Sequence, residues 1–401
     1  EVSMPATYFP HAIFTGEGEP IPRVMVAPQR YIQGKGVVDH TGRYMSLLNA
    51  KKTGVLVSKR GLGADGGRII RSLEEVGIEA VTSIFNGECS LDEIDSHADS
   101  LKSHQLDCLI AVGGGKCVDA GKSIAFRLDI PVVIVPTLAS NDAPCSSVSV
   151  LYTPDGVSAG AEFFPNNPAL VIVDTEIVAN ASERYLVAGM GDAMATWYEA
   201  RVCLNNPAAR STIGARPTLA SYAIGEVCAN TLFEEGVAAA KAVADSQVNE
   251  SLERVVEANT LLSGLGFESG GLAVAHAVAQ SFTTIPVVHA NFLHGEMVAM
   301  GTLTQLMMED EDEAKRVAEF FASVGLPVHL GQLSLSLENS VEGMSEIESV
   351  VAATMAYPTI YNMQMDMNAD LVRSSILVAH DLGLSVVSSA GDDAYRKLHG
   401  Q

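Results

Sequence analysis

Cys108-Leu109-Ile110-Ala111-Val112-Gly113-Gly114-Gly115-Lys116 is the stretch on which the reading of the fold turns. Five apolar residues in a row read as a strand buried on both faces. Three glycines come directly after it, and a helical pattern opens near Lys116. Glycines let a backbone approach a phosphate with no Cβ in the way, and a helix N-terminus offers unpaired N–H groups and partial positive charge. Strand, glycine turn and helix in that order predict a phosphate cradle. A glycine-rich structural turn is the plainer alternative, for which three consecutive glycines are excessive. The motif is neither GxGxxG nor GxxxxGK[ST], so a P-loop kinase and an ordinary dinucleotide fold are poor matches. Asp119 and Lys122 fall on the first turns of the helix, where a helix-surface role is the bland alternative.

Outward from this stretch, the first half alternates strands at 54–58, 78–85 and 131–135 with helices at 65–77 and 91–101. Such βαβα order implies a parallel sheet with helices on both faces. Residues 148–152, the Pro154-Asp155-Gly156 turn and the residues after that turn read as a hairpin, and 169–173 as a closing strand. From about Ser182 the pattern becomes helical, rich in Ala, Leu, Met and Glu. The expected division is an α/β dinucleotide-binding domain over 1–180 and an all-α metal- and substrate-binding domain over 181–401.

Apolar residues make up 47% of the 401 and charged residues 18%, the composition of a well-packed globular chain. A formal net charge of −23 repels phosphate backbones, which argues against nucleic acid and anionic membranes as partners. No stretch of about 18 apolar residues runs without a charge or a breaker, so no membrane span is expected. The chain opens on Glu1, and the expected compartment is intracellular: the cytoplasm, or the mitochondrial matrix if a transit peptide has been removed. The six cysteines form no CxxC pair and read as reduced, buried thiols, with a nucleophilic role for Cys145 given little weight. Glu309-Asp310-Glu311-Asp312-Glu313 reads as the solvated start of a helix.

Three segments of the helical half carry polar residues among small apolar ones. Asp192 stands between glycines and small side chains in Gly189-Met190-Gly191-Asp192-Ala193. His276 is a lone histidine in an apolar helix after Glu268-Ser269-Gly270-Gly271. His294 belongs to His289-Ala290-Asn291-Phe292-Leu293-His294-Gly295-Glu296. Each has a structural alternative: a helix N-cap, a core histidine bonded to a carbonyl, a loop histidine. Together they supply one carboxylate and two imidazoles, a set that suits a catalytic zinc with an open fourth position.

These residues resemble the glycerol dehydrogenase family, within the metal-dependent type III (iron-containing) alcohol dehydrogenases. The glycine triplet, Pro136-Thr137-Leu138-Ala139-Ser140-Asn141-Asp142-Ala143-Pro144-Cys145-Ser146 and the three metal segments occur in the family's order over nearly the whole chain. The resemblance implies a dehydroquinate-synthase-like architecture, one Zn2+ per subunit on Asp192, His276 and His294, and NAD as cofactor. It implies that Asp142 contacts a polyol hydroxyl and that Gly114, Gly115, Lys116, Thr137, Ser146, Val148 and Tyr152 line the cofactor, with Asp119 supporting the cofactor loop. The implied reaction is oxidation of glycerol, or a related vicinal diol, to dihydroxyacetone. A small-molecule polyol is the implied partner, and homo-oligomers are implied, octamers among relatives.

Iron-type relatives carry a further histidine four residues after the aspartate; here that place is Thr196, which favours zinc. Where relatives place an acidic residue for the adenosine ribose, this chain has Ser58-Lys59-Arg60, which leaves NAD against NADP open. His289 is a candidate proton relay or a plain loop histidine. A dehydroquinate-synthase-like lyase needs cations for a phosphorylated substrate, and 276–308 contain neither Lys nor Arg. A non-catalytic homologue is the third reading, against which all three candidate ligands are intact.

Overall fold

In the computed structural model, which describes residues 8–16, 18–335, 337 and 341–400, the strand before the glycine triplet lies inside a six-stranded sheet. The strands are β1 (Tyr31–Gly34), β2 (Lys52–Ser58), β3 (Glu79–Phe85), β4 (Cys108–Gly113) and β5 (Val132–Pro136), with β6 (Val148–Tyr152) and β7 (Ser158–Phe163) set apart as an antiparallel hairpin, and β8 (Leu170–Asp174). The sheet order is β1-β8-β5-β4-β2-β3, and every pairing in it is parallel.

Helices α1 (Gly67–Glu75), α2 (Leu91–Lys102) and α3 (Gly115–Leu128) make the crossovers. Ile69 and Leu73 of α1 pack on one face of the sheet with Val55, Val57, Ile110 and Val112. Val118 and Ile124 of α3 pack on the other with Leu56, Leu109, Ala111 and Ile134. The pleat's period of two therefore sends alternate residues of one apolar run to two different cores. The chain turns one way after β2 and the other way after β4, so the carboxyl ends of these neighbours frame a topological switch point, where open α/β sheets bind ligands. The glycine triplet sits there.

The helical half contains α4 (Glu183–Asn205), α5 (Leu219–Ala244), α6 (Ser263–Gly270), α7 (Val274–Phe282), α8 (His294–Glu309), α9 (Glu311–Val324) and α10 (Ala369–Ala390). Its core is continuous with the α3 face of the sheet. The segment before β1 also reaches it: Val26 N–H donates to the Ser269 hydroxyl at 3.0 Å, and Arg23 forms a parallel bridge with Arg216. Helix α10 is long and apolar enough to cross a membrane, and it packs on α8 and α9.

The expected elements are present within a few residues, with two differences. The helical stretch after β2 begins at Lys59 rather than near 65, because Ser58 caps it by accepting from Gly61 N–H at 3.0 Å, and a π-turn over Leu62–Gly66 leads into α1. The acidic run is split: Glu309 ends α8, and Asp310 caps α9 through the amides of Asp312 and Glu313. All six cysteines are free and buried.

Candidate metal and cofactor site

Asp192 is not a helix cap: it lies in the middle of α4, wholly buried. His276 is in the first turn of α7, and His294 opens α8 rather than lying in a loop. The three helices bring them to one point. The Nε2 atoms of His276 and His294 each stand 3.3 Å from Asp192 Oδ1, and one ligand atom from each residue lies within 4.8 Å of the others. Asp192 and His276 are buried, while the His294 side chain is 34% exposed, so the cluster opens on its His294 side.

The surroundings orient these side chains. Glu199, two turns after Asp192 on α4, accepts from His276 Nδ1 at 2.6 Å and from the backbone N–H groups of Ala273 and His276 at 2.7 and 3.0 Å. A carboxylate only accepts, which puts the proton on Nδ1 and turns Nε2 toward Asp192. Sequence reasoning missed Glu199; its spacing of seven from Asp192, one helix face, is the signal that marks it. Asp192 Oδ2 also accepts from the Asp142 N–H at 3.2 Å, joining the sheet half's loop to the cluster. Asp142 in turn accepts from the Ser263 hydroxyl at 2.8 Å, and Thr196 pairs with Ser263 at 2.9 Å. The place of the iron-type histidine is therefore filled by a satisfied hydroxyl.

Burial pushes the Asp142 carboxyl well above the usual carboxylate range, and the Asp192 charge adds to this. Burial acts on Asp192 in the same sense, but His294 and His276 outweigh it and hold that carboxyl low. At His276 burial disfavours the charged ring, and Glu199 and Asp192 outweigh it. The buried Asp192 and Glu199 carboxylates thus meet the His276 and His294 imidazoles, with the Asp142 carboxyl beside them, an arrangement that a divalent cation neutralises. The donor set of one carboxylate oxygen and two imidazole nitrogens with an open side fits such an ion.

The glycine loop lies beside Asp142. Gly114 is the N-cap of α3, so the amides of Gly115 and Lys116 have no acceptor within the helix. A Cβ on Gly115 would stand 2.7 Å from Asn141 Nδ2, so the two loops touch and a side chain at this position would displace Asn141. Thr137 N–H donates to Gly113 carbonyl at 3.0 Å. Lys116 pairs with Glu88 at 2.7 Å and lies over the Tyr152 ring at 4.8 Å.

The surface alternative fails for Asp119 and Lys122, which are both buried. Lys122 donates to Asp119, to the carbonyls of Ala143 and Val148, and to Ser146 Oγ, while Asp119 accepts from Val150 N–H at 3.0 Å. This pair ties the Asp142 loop and the hairpin to α3. Burial pushes the Cys145 thiol up, away from a nucleophilic thiolate. Glu268, also buried, accepts from the backbone and hydroxyl of Ser147 and from Asn167. His289 is bonded through Nε2 to the Gly156 carbonyl of the hairpin turn at 2.8 Å.

Against known proteins, residues 28–175 match the family model for iron-containing alcohol dehydrogenase. A glycerol dehydrogenase of Escherichia coli O6:H1 is 43% identical over 363 residues, covering 90% of this chain and 97% of the relative. The chain belongs to the glycerol dehydrogenase family. Another member, glycerol dehydrogenase of Pseudomonas putida, is 40% identical and covers 90% and 98% of the two chains. The crystal structure of glycerol dehydrogenase from Schizosaccharomyces pombe superposes with a TM-score of 0.85 at 34% identity, over 92% of this chain and 93% of that one. As a member of this family the chain is a metal-dependent, NAD-utilising oxidoreductase with a parallel-sheet α/β half and a helical half.

Proposed function

We propose that the chain oxidises glycerol, or a closely related vicinal diol, to the ketone with NAD as hydride acceptor and zinc as the resident cation. The observation that carries this reading is the convergence of Asp192, His276 and His294 beside Asp142. When bound, the cation, held by Asp192, His276 and His294, would supply Lewis acidity toward a substrate hydroxyl, and NAD would supply the hydride acceptor.

The chain's own residues do the rest. Glu199 fixes the ring of His276, and Asp142, steadied by Ser263, is aimed at a further hydroxyl of the polyol. Gly114, Gly115 and the first turn of α3 receive the pyrophosphate, with Lys116, Thr137, Ser146, Val148 and Tyr152 along the cofactor and Asp119 holding the hairpin in place. Zinc is preferred because Thr196 offers no fourth nitrogen. The two halves, divided near residue 180, act as a cofactor domain and a metal- and substrate-binding domain. Assembly into a homo-oligomer is part of this reading and is checked by the mass of the protein in solution.

The test is NADH absorbance with glycerol and 1,2-propanediol, using NAD and NADP in parallel on protein of measured zinc content. Turnover is expected with NAD, lost on chelation and restored by zinc. Undiminished activity after exhaustive metal removal, or no signal with any vicinal diol, rejects the reading. Loss of polyol selectivity in Asp142→Ala, with zinc retained, is the expected signature of the substrate contact.

A further inference from the structure

Away from the metal cluster, Arg23, Arg210 and Arg216 line one cavity of about 550 Å³ together with Glu19, Ile21 and Pro207. In a chain of net charge −23, most guanidiniums near a partner hold a carboxylate, as Arg68, Arg127, Arg184 and Arg201 do. Among the described residues no ion pair involves any of these three. Instead each leans on carbonyl oxygens: Arg23 on Pro217 at 3.1 Å, Arg210 on Ala208 and Ala209 at 2.7 and 2.8 Å, Arg216 on Asn206 at 2.6 Å. Arg216 also reaches the Leu204 carbonyl at 3.4 Å, and these contacts use only part of each guanidinium's five N–H donors.

The backbone holds the three together. Arg23 and Arg216 are opposite one another in the parallel bridge, with Arg216 N–H donating to Pro22 carbonyl at 2.8 Å and Val24 N–H to Arg216 carbonyl at 3.2 Å. Asn362 binds the backbone of Arg210 on both sides, accepting from its N–H at 3.0 Å and donating to its carbonyl at 3.1 Å. Like charges opposite one another in a strand pair are destabilising, and here a third joins them. Burial, and then the charges of Arg23 and Arg210, depress the Arg216 guanidinium. Glu19, the one carboxylate among the lining residues, is turned toward Gly16, where a Cβ would stand 2.7 Å from its Oε2.

We propose that this cavity is a binding site for a small multivalent oxyanion, a phosphate ester or a polycarboxylate, gripped by Arg23, Arg210 and Arg216. Guanidinium forks match the planar edges of carboxylate and phosphate, and a concave basic site on an acidic molecule concentrates such anions. The volume admits a ligand of several oxyanion groups, larger than a single sulfate.

Titration calorimetry with pyrophosphate and with citrate, at matched ionic strength, tests this. Binding of one or both is expected, and the stronger ligand identifies the phosphate or the carboxylate source. Arg216→Gln and Arg210→Gln should each weaken it at least about tenfold. Arg23→Gln, at an exposed position where folding is not at risk, should weaken it measurably and keeps the test informative if either of the others fails to fold. Because the glycine loop is itself a phosphate cradle, pyrophosphate binding that is undiminished in Arg23→Gln and Arg216→Gln overturns the proposal. So does binding of neither anion by the wild-type protein. A loss of oligomer in Arg216→Gln without anion binding by the wild type also overturns it, and gives the arginines to carboxylates of a second copy.

Discussion

Glu199 shows how a carboxylate that is not itself a proposed ligand can orient one. It accepts hydrogen bonds from Nδ1–H of His276 and from two backbone amides of the turn that carries this histidine, so it fixes both the ring's tautomer and the entry of α7. Glu199→Gln keeps the acceptor for the amides and removes the charge behind the imidazole. It is expected to weaken metal affinity by about 10–100-fold while the protein stays folded, read by competition with a chromogenic chelator and by circular dichroism. Unchanged affinity would remove Glu199 from the site. At this scale the sequence was legible where polarity was out of place: Asp192, His276 and His294 stand among small apolar neighbours. Glu199 was not legible, and Lys122 was picked out without its burial, because each lies in a helix next to residues of mixed polarity. Only tertiary packing decides whether such a charge faces solvent or is buried with a partner.

Elements position the ligands through glycine. A Cβ on Gly295 would stand 1.7 Å from the Ala188 carbonyl oxygen, and one on Gly191 would stand 2.3 Å from that of Gly295. Helices α4 and α8 therefore cross in backbone contact, and Asp192 and His294 are the residues next to that contact. Gly295→Ala must push the helices apart. It is expected to cost about 1–3 kcal/mol or more in urea unfolding, and to lower metal occupancy in the protein that remains folded. A variant of wild-type stability and metal content would show that the crossing has slack. The strand–helix order was readable from apolar runs and turns, but this crossing was not, since glycine before a ligand has many possible reasons.

A second prediction belongs to the packing of α10. His380 on this helix lies edge-on to His329 with ring centroids 5.8 Å apart, and His329 Nδ1 is buried without a hydrogen-bond partner among the described residues. Burial, and then the neighbouring His380, bring His329 down to about 4. Its folded value is thus below the unfolded one of about 6.5, so protonation favours the unfolded chain. Stability is full above about pH 6.5 and is lost as pH falls toward 4. His329→Leu should flatten the loss between pH 7 and pH 5 by about 1 kcal/mol, a figure reduced for partial solvent screening. The urea midpoints of the two proteins at both pH values decide it; equal slopes leave His329 without this role.

The two halves, whose core is continuous, also meet at the candidate metal site, because Asp142 arrives from the sheet half and Asp192, His276 and His294 from three helices of the other. A cation on Asp192, His276 and His294 would hold together segments from residue 192 to residue 294, and an unfolded chain offers no such set. Anything that binds the native state alone stabilises it by RT ln(1 + [L]/Kd), about 2.7 kcal/mol at a hundredfold excess over Kd. An unfolding entropy of roughly 2 cal/mol/K per residue turns this into a melting shift of about 3 °C for a chain of this size. Calorimetry of the zinc-loaded and chelated protein is therefore expected to show the chelated form melting about 3 °C lower. In Asp192→Asn the difference should vanish, because one anionic ligand is gone while the side chain's volume is kept. Should chelation lower the melting of Asp192→Asn as much as that of the wild type, the stabilising ion is bound elsewhere, and the junction between the two halves does not depend on this cluster.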